Sequence, residues 1–342
     1  MRTYNYVFFN TNDNNKLCAN ADGYYTICLN DLQHQPDIHV VSQPLDYAPK
    51  WIRFLFTLHH AGRINKIVSL PCKRLWFPYY FKADFPTTRP LCFVISNPDI
   101  SQDYYRYLKE TYPDCKIVVL HRDLVKVHQG KSPHFFMNSL FDLEMIFDKG
   151  EAEKYGFEFF EEFESRLPLT PTAAEPLYDV FFAGRAKDRM PQILKAYDRL
   201  SAKSLKCFFY ILDANPEEQK ALPGIVYSNT AMSYRQMLQY TVDAKCLLDI
   251  NQKGAIGFTS RFLEAVMYNK KLICDNISCT SSKFYNPKYI QYIEDMSELD
   301  ADFVSADVGD VDYQYNGEFS PINLINQIDT ILTQKGSTHA KK

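Results

Sequence analysis

Short apolar runs alternate with amphipathic stretches along this chain, the pattern of strands and helices in layered α/β domains. In the first half, Tyr6 to Phe9, Ile38 to Val41, Ile67 to Leu70, Cys92 to Ile95, Lys116 to Leu120 and Glu144 to Phe147 read as strands. Gln102 to Tyr112 is the clearest helix between them, with Tyr104, Tyr105, Tyr107 and Leu108 at helical spacing. A proline-marked stretch, Leu167 to Pro176 (LPLTPTAAEP), then breaks the periodicity and reads as an interdomain linker. Strands resume at Tyr178 to Ala183, Cys207 to Leu212, Gly224 to Val226, Ala244 to Ile250 and Lys271 to Asp275. Helices are expected at Arg189 to Lys203, Tyr234 to Tyr240 and Thr259 to Tyr268. An acidic segment, Asp295 to Asp312, precedes a last amphipathic helix, Pro321 to Leu332, whose Ile322, Ile325, Ile328, Ile331 and Leu332 share a face. The tail from Thr333 is polar and expected to fray.

The 342 residues suffice for two domains. The pattern places one over residues 1–170, a second over 171–320, and a C-terminal helix over 321–342 that can pack back on the first. With 38 Lys and Arg against 41 Asp and Glu, the formal charge of −3 offers polyanions no global attraction, so nucleic acid is not an expected partner. The nine cysteines include no Cys-x-x-Cys pair and no zinc-ligand spacing, which fits single thiols in a reducing compartment. No stretch reads as a signal peptide or a membrane span, so a cytoplasmic protein is expected, at most peripheral on a membrane.

Two stretches carry candidate chemistry. In LLDINQKGAIGFTSRFLEAVMYNKKLICDN, Leu247 to Asn276, a strand runs into a loop with Gly254 and Gly257, and a helix opens near Thr259 and Ser260. Glycines permit close backbone approach, and the free amides and positive dipole end of the helix make an anion site suited to a diphosphate. Arg261, Glu264 and Tyr268 fall at i, i+3 and i+7 on one stripe. Arg261 could neutralise phosphate and Glu264 could accept from a vicinal ribose diol; an ordinary i, i+3 ion pair accounts for the spacing equally well. In FFAGRAKDR, Phe181 to Arg189, a strand runs into Gly184 and Arg185, with Lys187 and Arg189 close behind. In an open parallel sheet both loops would lie at the carboxyl edge, where ligands bind, and could clamp a diphosphate together. Taken singly, the second is also read as a solvated basic turn.

The order YDVFFAGRAKDR then LLDINQKGAIGFTSRFLEAVMYNKKLICDN resembles the C-terminal half of bacterial surface-polysaccharide glycosyltransferases, which have two Rossmann-like α/β domains facing a cleft, the GT-B architecture. FDLEMIFDKGEAEKYGF, Phe141 to Phe157, resembles the segment that ends the N-terminal half in such capsule and lipopolysaccharide enzymes. The likeness covers about half the chain. It implies that Arg185 and the Gly254 to Ser260 loop hold the diphosphate of a nucleotide-sugar donor, a substrate rather than a cofactor, and that Glu264 holds its ribose. It also implies a glycan acceptor, lipid-linked in keeping with such enzymes. In one respect the chain departs from the family: many retaining members carry a second glutamate seven residues from the first, but positions 256 and 257 are Ile and Gly. Two rival readings share the architecture: a nucleotide-sugar epimerase, and a catalytically silent nucleotide-sugar-binding partner in polysaccharide assembly.

The remaining candidates are thinner. Asp300-Ala-Asp302 and Asp310-Val-Asp312 match the Asp-x-Asp of metal-dependent sugar transferases but sit in a late acidic connector, so they read as a solvated loop and catalysis is expected to be metal-independent. An inverting transfer also needs a carboxylate or imidazole on the acceptor side as base. Asp13, Asp123 and His121, all at expected strand ends of the first half, are the candidates. His59 and His60 read as ordinary surface or core histidines. CKRLWFPYYFK, Cys72 to Lys82, interleaves cations with rings, as a membrane-interface segment would, or equally as a buried strand and loop with snorkelling basic ends.

Overall fold

The computed structural model describes residues 1–10, 22–41, 45, 48–59, 73–96, 102–122, 124–125, 139–252 and 257–339. The strand expected at Ile67 to Leu70 lies outside them, as do Asp13, His60, Cys72, Asp123 and Gly254. The chain divides into two compact units, Met1–Ser165 with Ser320–Lys342, and Arg166–Phe319.

In the first unit β1 (Asn5–Asn10), β2 (Ile38–Val41), β3 (Leu91–Ser96), β4 (Lys116–His121), β5 (Leu143–Ile146) and β6 (Glu158–Phe159) form one sheet in the order β2-β1-β3-β4-β5-β6. Every pairing is parallel. Both faces are covered, as a parallel sheet requires. Tyr6 and Phe8 of β1 join one apolar cluster, while Val7 and Phe9 join another on the opposite face. Ile52 of α1 (Lys50–His59) and Tyr104, Tyr105 and Leu108 of α2 (Gln102–Thr111) belong to the cluster of Val7 and Phe9. The cluster of Tyr6 and Phe8 takes Leu324, Ile325, Ile328 and Leu332 of the terminal helix, Pro321–His339, so residues from the two ends of the chain build one core.

The segment Cys72 to Lys82 is not a ring-studded surface. It forms two 3-10 turns, Lys73–Leu75 and Phe77–Tyr79. Trp76 and Phe77 are buried, and Tyr79, Tyr80 and Phe81 pack against the same core. The Phe77 and Tyr80 rings meet Tyr104 at centroid distances of 5.1 and 4.5 Å, so burial outcompetes the bilayer for these rings.

The second unit holds β7 (Tyr178–Arg185), β8 (Cys207–Leu212), β9 (Ile225–Ser228), β10 (Ala244–Asp249), β11 (Lys271–Cys274) and β12 (Ile290–Tyr292), all parallel, in the order β12-β11-β10-β7-β8-β9. The two sheets are the Rossmann-like α/β pair expected from the sequence. On one face of the second sheet, Val180, Phe182, Phe209, Ile211, Cys246 and Leu248 meet Ile193, Ala196 and Leu200 of α3 (Met190–Ser201). On the other, Phe181 packs against Phe208 and against Tyr240 of α4 (Tyr234–Asp243). Residues 167–177 carry no helix or strand but are tied to this unit: the backbone N–H and hydroxyl of Thr172 donate to Asp243 at 2.7 and 2.8 Å.

The strand order decides where a ligand can sit. The connection after β7 runs outward to β8 and β9, whereas the connection after β10 runs the opposite way, to β11 and β12. β7 and β10 are neighbours, paired at Cys246 with Val180 and Leu247 with Phe181. Their carboxyl ends therefore flank the topological switch point, the place where open α/β sheets hold ligands in a crevice.

Candidate functional site

The two loops singled out in the sequence leave these two central strands. β7 ends in Gly184 and Arg185, and a 3-10 turn, Lys187–Arg189, then leads into α3 with a proline in its first turn. After β10 come Ile250, Asn251 and Gln252, and then α5 (Ser260–Met267). Two hydrogen bonds join the loops: Lys187 Nζ donates to Gln252 Oε1 at 2.9 Å, and Arg189 Nη1 donates to the Ile250 carbonyl at 2.8 Å. Arg189 also donates through Nη2 to the Arg185 carbonyl. Its guanidinium thus holds both loops rather than standing free for a ligand, and burial lowers its pKa.

Gly184 makes this fold-back possible. A Cβ there would lie 3.0 Å from Arg189 Nη2 and 3.1 Å from Phe182 Cζ. Lys187 turns with a φ of +42°, a left-handed conformation that a lysine adopts only at some cost. Arg185 is exposed, as is Lys187, and pairs with Asp213, just beyond β8. An exposed pair of this kind is worth little in water and can be exchanged for a phosphate.

The amino end of α5 is capped by Thr259, whose hydroxyl accepts from the Phe262 N–H at 3.1 Å and donates to Asp249 Oδ2 at 2.6 Å. Gly257 precedes it at a φ of +92°, and its carbonyl accepts from Asn276 Nδ2 at 2.7 Å. Asp275, just beyond β11, accepts from the Asn251 N–H at 2.7 Å. Residues at three strand ends therefore fix the described edges of the loop that contains Gly254. Burial raises the pKa of Asp249, opposed by the Thr259 hydrogen bond. Burial is also the main cause that pushes Asp275 up to about 6, with the negative Asp249 adding to it. Both shifts favour the neutral carboxyl over the carboxylate.

Helix α5 does not have one face for a ligand and one for packing. Every residue from Arg261 to Met267 is buried. Glu264 has no exposure; its carboxylate pairs with Arg261 and accepts from Tyr234 Oη at 2.9 Å and Thr241 Oγ1 at 3.2 Å. Arg261 donates to Thr241 Oγ1 at 3.1 Å and to the Ala183 carbonyl at 3.4 Å, and stacks over the Phe181 ring. In this arrangement both Glu264 oxygens are engaged inside the unit and Arg261 points under β7. Tyr268 is buried as well, bonded to the backbone of Leu167. These side chains hold up the switch point from beneath, and the ribose contact expected of Glu264 has no surface on which to form.

In the first unit, His121 at the end of β4 is also enclosed. Its ring lies parallel to Phe157 at 4.9 Å, and Nε2 is 3.3 Å from Glu144 Oε1. A base must reach the hydroxyl it deprotonates, and this imidazole reaches no surface. Asp300, Asp302, Asp310 and Asp312 are exposed, with Asp302 paired to Lys203. The described residues contain no cluster of three or more His, Cys, Asp or Glu suited to a metal.

Sequence reasoning passed over Asp213, Asp249, Gln252, Asp275 and Asn276. Asp213 and Asp275 directly follow apolar strands and Asp249 ends one, as in LLD and ICDN, a signal within three residues of which Gln252 and Asn276 also lie.

No family model and no curated protein matches the chain. Solved structures do. A protein described as a UDP-N-acetylglucosamine 2-epimerase from Listeria monocytogenes is 8% identical, over 98% of this chain and 98% of that one, with a TM-score of 0.46. A trehalose 6-phosphate synthase from Burkholderia multivorans is 8% identical over 99% and 98%, with a TM-score of 0.46. A glycosylation-associated protein complex from Streptococcus agalactiae is 13% identical with a TM-score of 0.40; the match covers 73% of this chain and about half, 53%, of that one.

Proposed function

We propose that the second unit binds a nucleoside diphosphate sugar at the β7/β10 switch point and that the chain transfers the sugar to a glycan acceptor. The observation that carries the reading is the junction of the two loops there, Lys187 to Gln252 and Arg189 to Ile250, beside the exposed Arg185 and the capped start of α5. Arg185 and Lys187 can exchange their uncharged or exposed partners for diphosphate oxygens, and the amides of α5 add donors that need no reorganisation. The charge that develops on a departing diphosphate falls on these groups, so departure proceeds without a metal ion. The acceptor is a bacterial surface glycan, capsule or lipopolysaccharide, carried on a lipid; this finer assignment draws on the motif likeness alone.

A silent nucleotide-sugar-binding partner is the second reading, favoured by the enclosure of His121. Calorimetry with UDP, GDP, dTDP and CMP tests the binding, with one diphosphate expected to bind and to raise the melting temperature. If none binds, the proposal falls. Donor turnover with acceptor, persisting in excess EDTA, separates the transferase from the silent partner.

A further inference from the structure

We propose that helix α1 is a docking surface for an anionic phospholipid bilayer. Its inner side is core: Ile52 is buried, and Leu55 and Phe56 pack against the same cluster. Its outer side carries Trp51, Phe54 and Leu58 at i, i+3 and i+7, a stripe roughly 60° wide at ~100° per residue. These side chains are 57%, 66% and 36% exposed, and Trp51 and Phe54 are the most exposed aromatic rings among the described residues. Isolated exposed apolar residues need no explanation, but three on one helical stripe, two of them aromatic, do.

Charge selects the occupant. Lys50 and Arg53 border the stripe on its Phe54 side, and α1 contains no acidic residue. The absence extends well beyond the helix: residues 47–83 hold seven Lys and Arg and not one Asp or Glu, in a chain whose formal charge is −3. Cations along one side of an apolar, Trp-bearing stripe, with no acidic residue on the helix, are complementary to anionic headgroups over acyl chains. No helix among the described residues is long and apolar enough to cross a membrane, so the contact is one of a helix lying in the interface. The surface is distinct from the nucleotide proposal, and vesicle binding needs no nucleotide.

The test is flotation of the full chain with vesicles of phosphatidylcholine alone or with about 30 mol% phosphatidylserine, a charge density that attracts basic segments. The protein should float with the anionic vesicles, less so in about 0.5 M salt, where surface charge is screened. Of the two tryptophans, Trp76 is buried, so a blue shift of emission on binding reports Trp51. Replacing Trp51→Ser and Phe54→Ser together should cut vesicle partition by roughly tenfold or more with an unchanged melting temperature, because both side chains are outside the core. Failure to float with anionic vesicles, or equal flotation of the double variant, overturns the proposal. So does a stripe that instead mediates self-association or binds single-stranded RNA in the absence of vesicle binding.

Discussion

Replacing Glu264 separates a buried anchor from a ligand contact. The side chain is fully buried beside an Arg261 that is itself 7% exposed, and it also accepts from the Tyr234 and Thr241 hydroxyls. Glu264→Gln keeps the shape but turns an amide donor or a weaker acceptor toward the guanidinium. Losing one partner of a buried pair costs about 3–5 kcal/mol because the other charge stays inside. Arg261 retains Thr241, the Ala183 carbonyl and the Phe181 ring, so about 3 kcal/mol is expected here. Urea unfolding followed by circular dichroism measures it, and the cycle with Arg261→Met isolates the pair, with a coupling of about 2 kcal/mol expected. Burial raises the Glu264 pKa, and the charge of Arg261 opposes that shift. Arg261→Met removes the cation that opposes this shift; that variant should be most stable in acid and lose stability as pH rises through the raised pKa. A loss below about 1 kcal/mol for Glu264→Gln, with ribonucleotide binding weakened more than 2′-deoxynucleotide binding, would refute the anchor and return Glu264 to the ribose.

Two further expectations concern the crevice itself. Arg185→Ala should weaken nucleoside diphosphate binding by about 1.5–3 kcal/mol by calorimetry while leaving the melting temperature nearly unchanged, because its pair with Asp213 is exposed; unchanged affinity removes Arg185 from the site. Asp275 has a folded pKa pushed up to about 6 from 3.8, so its contribution to stability is fully present below 3.8 and is lost as pH rises through 6. Nucleotide affinity should fall over the same window as the carboxylate charges, and Asp275→Asn should flatten both profiles; a pH dependence identical to wild type would place the titrating group elsewhere.

Much of the sheet is legible in the sequence because parallel strands covered on both faces leave uninterrupted apolar runs. β8 occupies the expected Cys207 to Leu212, and β10 and β11 each end one residue early, where Ile250 and Asp275 turn away from the ladder. β6 and β12 escape because two and three residues at a sheet edge are too short to show a period. Helix α5 misleads for a different reason. A stripe of Arg261 and Glu264 at i, i+3 looks amphipathic, but the two charges neutralise each other and can go inside together, so spacing alone does not separate an exposed pair from an enclosed one. The same holds for Cys72 to Lys82, where Trp76 finds a ring partner in α1 and Phe77 finds two in α2, none of them within a local window.

The crevice itself shows where local reading stops. Glycine and cations after an apolar run mark the Gly184 turn, and glycines before a capped helix mark the Gly257 loop. That they meet depends on strand order: Lys187 and Gln252 are 65 residues apart in sequence and touch because β10 lies beside β7 rather than beside β9. The same adjacency explains why Arg261 is buried. A helix that leaves β10 at this point and returns to β11 must run across the face of the sheet, and its second residue then falls beneath Ala183 and Phe181 of the neighbouring β7. An arginine there cannot reach solvent, and a carboxylate one turn later is what makes its burial tolerable. The residue most readily assigned to a ligand from its spacing is thus required by the topology that creates the switch point.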